Sequence, residues 1–291
     1  MSFLRRLGVL GLLPIGAFGC SAELDHYNTD ADTGVSAHAL VTVQRSLTAD
    51  QSSAARAEVL AGFVHVPADV EARPLYQLLG LRSSVPAVGQ CRIRRAGPEA
   101  TPALAGLDRV ELLEAGDVWV GPAGNEISLA PHAFPTVTAQ ISGVVYASRD
   151  RSSSALPALG SYSIRTQGSA DLPALQVNRD APPELDSVTV GGVALAEVKE
   201  VQVVSDLDLT WGVGSAGDLI VAELSTSEAA LTCAFRDDVG AGTIPGGKLD
   251  LAGPGRLALQ RVRSTSFRTP SVDYGELVFQ FELGENVTFK P

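Results

Sequence analysis

The chain has 291 residues, 22 basic against 33 acidic side chains, and a net charge of −11. Such an excess of carboxylates repels phosphate backbones and anionic headgroups, which removes nucleic acid as a partner. Apolar residues make up 45% of the chain but aromatic residues only 5%, so Val, Leu and Ala must fill the cores, and Trp or Tyr platforms for stacking sugars are scarce.

The chain begins with a positive pair, Arg5 and Arg6, followed by an apolar run from Leu7 to Phe18 that Gly and Pro interrupt. About a dozen apolar positions fall short of the roughly 20 that span a bilayer, so the stretch reads as a secretory signal rather than a membrane helix. Its end, Ala17-Phe18-Gly19-Cys20, resembles a bacterial lipoprotein signal, which is cut before the cysteine whose thiol is joined to diacylglycerol. The resemblance implies that residues 1–19 are removed and that Cys20 carries acyl chains, each buried CH₂ contributing about 0.8 kcal/mol of anchoring. By the same resemblance, Ser21 in place of Asp favours the outer membrane. Loss of Arg5 and Arg6 leaves 20 basic residues against 33 acidic, a net charge near −13.

Residues 20–35 are small and polar, with Glu23, Asp25, Asp30 and Asp32, and read as a flexible tether. From Ser36 the pattern turns to period two, in Ala37–Val43 and Glu58–Val66. Thr48–Ala57 has capping-box spacing between Thr48 and Gln51, a weak helix signal. Val70–Leu81 is the other helical candidate, with Pro74 allowing helix only from about that point onward. Short runs then predict strands at Cys91–Arg95, Arg109–Leu113, Asp117–Val120, Glu126–Leu129, Val137–Tyr146, Ser161–Thr166 and Leu175–Val177. Gly116, Gly124 and Asn125 supply turns between them. Arg149–Ser154 reads as a polar loop.

Ala181-Pro182-Pro183-Glu184 predicts a boundary, since paired prolines interrupt a ladder. Beyond it, strands are predicted at Ser187–Val190, Glu200–Ser205, Leu207–Trp211, Leu219–Leu224, Ala230–Phe235, Gly255–Arg261 and Leu277–Leu283. The predicted class is all-β: two antiparallel sandwich-like domains, residues 36–180 and 181–291. Alternation turns Trp211 and Cys233 inward, and a buried Trp with a later buried Cys resembles an immunoglobulin core in architecture, although the usual earlier partner cysteine is missing.

The chain is also similar to an uncharacterised family of bacterial lipoproteins. The similarity rests on Gly89-Gln90-Cys91, Leu112-Leu113-Glu114-Ala115-Gly116-Asp117-Val118, the Leu207–Trp211 strand, and Cys233-Ala234-Phe235-Arg236-Asp237 leading into Gly242-Thr243-Ile244-Pro245. It implies a signal peptide followed by two β domains and no assigned activity. With Cys20 acylated, Cys91 and Cys233 are left as an even pair in an oxidising space. Two readings stand: a disulfide closing a long loop, or two separately buried thiols, Cys233 in its own core and Cys91 beside Ile93.

Motifs that resemble chemistry each lack a required part. Gly212-Val213-Gly214-Ser215-Ala216-Gly217 spells G-x-G-x-x-G, but a strand follows where pyrophosphate needs a helix N-terminus, so a glycine-rich hairpin turn is the better account. Gly242–Leu249 nearly spells a phosphate loop, with Leu249 where a hydroxyl should hold Mg²⁺ and Pro245 removing an amide. No nucleotide or other cofactor is expected. His26, His38, His65 and His132 lack zinc-ligand spacing; His38 and His65 could meet across a hairpin, with a surface pair on β-strands the better account. His132 and Asp117 could join a serine in a triad, but no G-x-S-x-G elbow is present. Asp206 and Asp208, with Glu184 and Asp186, group hard oxygens suited to Ca²⁺ without the spacing of a calcium loop.

The sequence therefore predicts a lipid-anchored cell-envelope protein, periplasmic or surface-facing, acting as a non-catalytic binding or structural module. Its partners would be the membrane, through Cys20, and a protein or glycan at the cell surface. The alternatives are an envelope hydrolase assembled from distant loops and an assembly or secretion component that docks a partner along a sheet edge.

Overall fold

A computed structural model of the chain describes residues 34–50, 55–81, 84–95, 109–133, 143–148, 156–247 and 251–291. Cys20, the signal segment and most of the tether lie outside the described residues, as do Gln51, residues 137–142 and Lys248. Among the described residues no helix is long and apolar enough to cross a membrane.

The described chain is almost entirely β. It opens with a hairpin of β1 (Val35–Thr48) and β2 (Arg56–Pro67), followed by its one α-helix, α1 (Ala72–Leu78). Next come β3 (Cys91–Arg95), β4 (Glu111–Leu112), β5 (Val118–Pro122), β6 (Ile127–Ala133) and β7 (Val144–Ser148). β8 (Gly160–Thr166) and β9 (Gln176–Ala181) lead to the paired prolines. Beyond them lie β10 (Thr189–Val190), β11 (Val193–Ala194), β12 (Glu200–Gln202), β13 (Leu207–Thr210) and β14 (Leu219–Ser225). β15 (Ala229–Arg236), β16 (Ala241–Ile244), β17 (Gly253–Thr269) and β18 (Val272–Lys290) complete the fold.

Where the helix signals compete with strand pairing, pairing prevails. Thr48 is the last residue of β1 and Ala57 lies within β2, because the two strands bury alternating apolar rows against each other. α1 starts two residues ahead of Pro74, which sits in the first turn, where its missing N–H has no intrahelical acceptor to lose.

One large sheet runs in the order β3-β15-β14-β17-β18-β1-β2-β7-β6-β5-β8-β9, with β12 paired to β18 and β4 to β2. It is mixed: β1 runs parallel to β18 over His38–Thr48, while β17 and β18 form a long antiparallel hairpin. The end of the sheet carrying β9 curls back toward β17, where Arg179 donates to the Ser266 carbonyl at 3.1 Å. The two arms thus face each other across a core of Val41, Phe63, Tyr162, Ile164, Phe279 and Phe281. Tyr162 and Phe279 meet edge to face, with centroids 5.1 Å apart.

A second sheet, β11-β10-β13-β16, faces the other end of the large one. Between them lies a core containing Val190, Leu209, Trp211, Leu231, Leu257 and Phe289. Trp211 is buried there, as its alternation predicts, and its indole N–H donates to the Asp237 carbonyl at 3.0 Å.

Ahead of the paired prolines the first core takes residues through Ala181, and past them the second begins at Leu185, but the cores share strands. Residues 34–291 form one compact unit. The physical reason is the length of the final hairpin. On one face β18 gives Leu277, Phe279 and Phe281 to the first core and Val287 and Phe289 to the second; β17 likewise gives Phe267 to one and Leu257 and Leu259 to the other. On the opposite face the same strands carry a polar ladder, with Gln44 donating to Gln280 at 2.9 Å and Ser46 to Glu282 at 3.0 Å.

Candidate functional site

The inner row of β17 changes character midway between the cores. Alternation carries it from Leu257 and Leu259 to Arg261 and Arg263, and then to Phe267. Arg261 is 1% exposed and Asp237, in a 3₁₀ turn after β15, is 0% exposed. Arg261 Nη2 donates to Asp237 Oδ1 at 3.0 Å, and Nε lies 2.7 Å from Oδ2, off the line of a hydrogen bond. The remaining donors reach the carbonyls of Glu184 (2.7 Å), Pro183 (3.3 Å) and Gly212. Arg263 forks onto Asp218 at 2.8 and 2.7 Å, and the carboxylate holds its guanidinium above the ordinary range. Arg45, over the Phe281 ring, meets Glu184 at 2.6 Å. A buried guanidinium requires its charge and its donors to be met together. Here the diproline linker, the glycine loop and the turn after β15 supply them, so the cluster fixes the segments that join the cores.

That cluster explains the G-x-G spelling. β13 belongs to the small sheet and β14 to the large one, so Trp211–Asp218 carries the chain between layers and is not the hairpin turn expected. A Cβ on Gly214 would stand 1.9 Å from Asp237 Oδ2, and one on Gly212 would stand 1.7 Å from Asp186 Oδ1. Gly217 has nothing within 4 Å. The first two glycines make room for carboxylates of the protein itself. The phosphate-loop resemblance resolves similarly: Ala241–Ile244 is β16, and the Gly246 amide donates to Asp206 Oδ1 at 2.8 Å.

The acidic residues singled out for Ca²⁺ take separate partners. Asp208 accepts from the Thr243 hydroxyl at 2.8 Å, Asp206 accepts from Gly246, and Glu184 pairs with Arg45. Among the described residues no three His, Cys, Asp or Glu side chains stand where they could hold a metal ion. His132 is exposed on β6. His65 lies opposite Ala37 in the β1–β2 ladder, so pleating sends it to the face away from His38, and it meets Glu111 at 3.6 Å.

His38 sits in a polar chain that sequence reasoning missed. Its Nε2 is 2.7 Å from Ser36 Oγ and its Nδ1 meets the Tyr76 hydroxyl of α1. Ser36 in turn donates to the Val66 carbonyl at 3.3 Å. With that proton spent, Ser36 must accept from His38 Nε2–H, and Nδ1 accepts from Tyr76. Burial lowers the imidazole pKa and Asp273 raises it, with burial the larger cause. The serine beside the imidazole is therefore a link tying α1 to the mouth of the first hairpin, with its hydroxyl proton aimed away from the base.

Between the sheets, Val203, Leu207, Leu224, Leu231, Ile244 and Leu251 line a recess. It has room for about one water molecule, far below the roughly 300 Å³ at which small-molecule sites begin.

Cys91 and Cys233 are bonded. They lie directly opposite each other on adjacent strands of one sheet, with Cα atoms 4.1 Å apart. The case for separate thiols placed Cys233 in its own core, and it is there, 0% exposed. The long-range partner reaches it because β3 joins the edge of the same sheet and turns Cys91 toward the same core. An immunoglobulin bridge joins two facing sheets, whereas this one lies within a sheet. It fastens an edge strand whose other side chains, Arg92, Ile93, Arg94 and Arg95, are exposed.

No protein-family model matches the chain, and no curated protein matches it in sequence.

Proposed function

We propose that this is an exported, lipid-anchored protein of the cell envelope, acting as a non-catalytic binding or structural module. The observation that carries the reading is the Cys91–Cys233 bridge, since structural disulfides form and persist in oxidising compartments. An export signal ending in Gly19-Cys20, a polar tether and a disulfide-fastened β body agree with one another. The buried arginine cluster adds support: it fixes the inter-core segments and makes the body a rigid platform for exposed edges and loops. A docking role along a sheet edge is favoured by β3, which ends the large sheet among the described residues.

The anchor is tested by fatty-acid labelling and membrane fractionation of the wild type, of Cys20→Ala, and of cells treated with globomycin. The wild type should carry label and sediment with outer membrane, and the variant should lose both. Unlabelled protein in the cytosol with free thiols at residues 91 and 233 would overturn the reading. The binding role is tested by capture from solubilised envelope on the Ser21–Pro291 fragment.

A further inference from the structure

β3 reads Cys91-Arg92-Ile93-Arg94-Arg95 and pairs with β15 on one side alone among the described residues. Its ladder can be phased from the Ala234 amide, which donates to the Gln90 carbonyl at 3.1 Å. Alternation in an antiparallel pair then makes Arg92 opposite Thr232 and Arg94 opposite Ala230 the hydrogen-bonded pairs. Cys91, Ile93 and Arg95 are the intervening residues, and their N–H and C=O groups point away from β15. The short Cα separation of the bridged cysteines fits that phase. The outer edge thus offers backbone donors and acceptors at two-residue intervals, roughly 7 Å apart, a spacing that another strand matches.

The side chains on this edge are cationic in a chain of net charge −11. Arg92 is occupied, donating to Ser84 Oγ and to the Ser84 carbonyl, each at 2.6 Å. Arg94 and Arg95 stand on opposite faces of the strand, and the β15 residues opposite them are Ala230 and Ala229, which offer no carboxylate. Ile93, between Arg92 and Arg94, is 43% exposed. Charged side chains on an edge reject indiscriminate strand pairing, and a symmetric pairing of two copies would set these arginines against their counterparts. An acidic strand meets the opposite condition.

We propose that β3 binds an extended acidic segment of a partner protein by strand addition, with Arg94 and Arg95 contacting carboxylates on the two faces of the added strand. This names the partner's chemistry and rests on the binding-module reading above.

The test uses the mature chain in detergent and a fluorescent peptide of repeating Glu-Glu-Val-Val, which sets carboxylates on both faces of an extended strand, followed by anisotropy. The peptide should bind saturably, and a Lys-for-Glu version should bind about tenfold more weakly or worse. Arg94→Glu with Arg95→Glu should reverse that preference. Ile93→Pro removes an outward N–H without touching the β15 ladder, so it should abolish binding while the bridge still forms. A second arm leaves the protein unchanged: N-methylation of alternate amides along one edge of the peptide should also abolish binding. No saturable binding of the acidic peptide would overturn the proposal, as would binding unaffected by peptide methylation, which would mean charge attraction alone. If the peptide fails while envelope capture succeeds, strand addition falls and the binding-module reading stands.

Discussion

Arg261 and Asp237 form a fully buried ion pair, with Nε 2.7 Å from Oδ2, and the same guanidinium holds the carbonyls of Pro183, Glu184 and Gly212. Removing one member of such a pair strands the other charge away from water, at about 3–5 kcal/mol. Arg261→Met and Asp237→Leu should each lower stability by that amount in urea titration. The double variant should recover part of the loss, and not all of it, because the three carbonyls remain without their donor.

Glycine substitutions along the inter-sheet loop separate the structural account from a nucleotide-binding one. Gly214→Ala should be the most damaging, since its Cβ meets a carboxylate locked to Arg261. Gly212→Ala should cost less, because Asp186 Oδ1 ends a side chain able to turn away. Gly217→Ala should lie within about 0.5 kcal/mol of wild type. Thermal melts of the three variants check the order; equal damage at all three positions would refute it.

The Cys91–Cys233 bridge closes a loop with a sequence separation of 142 residues. Chain entropy credits such a loop with about 5 kcal/mol, and removal of native bridges costs roughly 2–5 kcal/mol. Cys91→Ser with Cys233→Ser should fall in that range. Hydrogen exchange should quicken first in β3, where the bridge holds a strand that has a neighbour on one side. Faster exchange in β17 with β3 unchanged would contradict this.

His38 should make the protein acid-labile. Its pKa in the folded state is lowered, by burial above all, with Asp273 opposing. The unfolded chain therefore takes up the proton first, and stability is intact above the unfolded value of about 6.5 and is lost as pH falls toward the folded one. Protonation also places a donor at Nδ1 against the Tyr76 hydroxyl, which must then accept. His38→Gln should flatten the stability profile below about pH 6.5. Asp273→Asn should steepen it by lowering the imidazole pKa further.

The period-two pattern was enough to read most strands, because each buries one face and so alternates: Cys91–Arg95 matches β3 in full, and Trp211 and Cys233 point inward as the alternation requires. Two strands stayed illegible. Val193–Ala194 is too short to alternate, and Ala241–Ile244 lay inside a phosphate-loop spelling. The extents of β17 and β18 were also underread, since the arginine-bearing stretch of β17 and Gly284-Glu285-Asn286 of β18 look like strand ends when they lie where one core gives way to the next.

Local side-chain period and turn chemistry are carried by neighbours in sequence, and so the amino-acid order alone determined the all-β class and most strand positions. Which strands lie beside each other depends on contacts between distant residues. Only the tertiary structure could set β1 parallel to β18, bring β3 to β15 so that Cys91 meets Cys233, and bury Arg261 where linker, loop and turn converge to satisfy it.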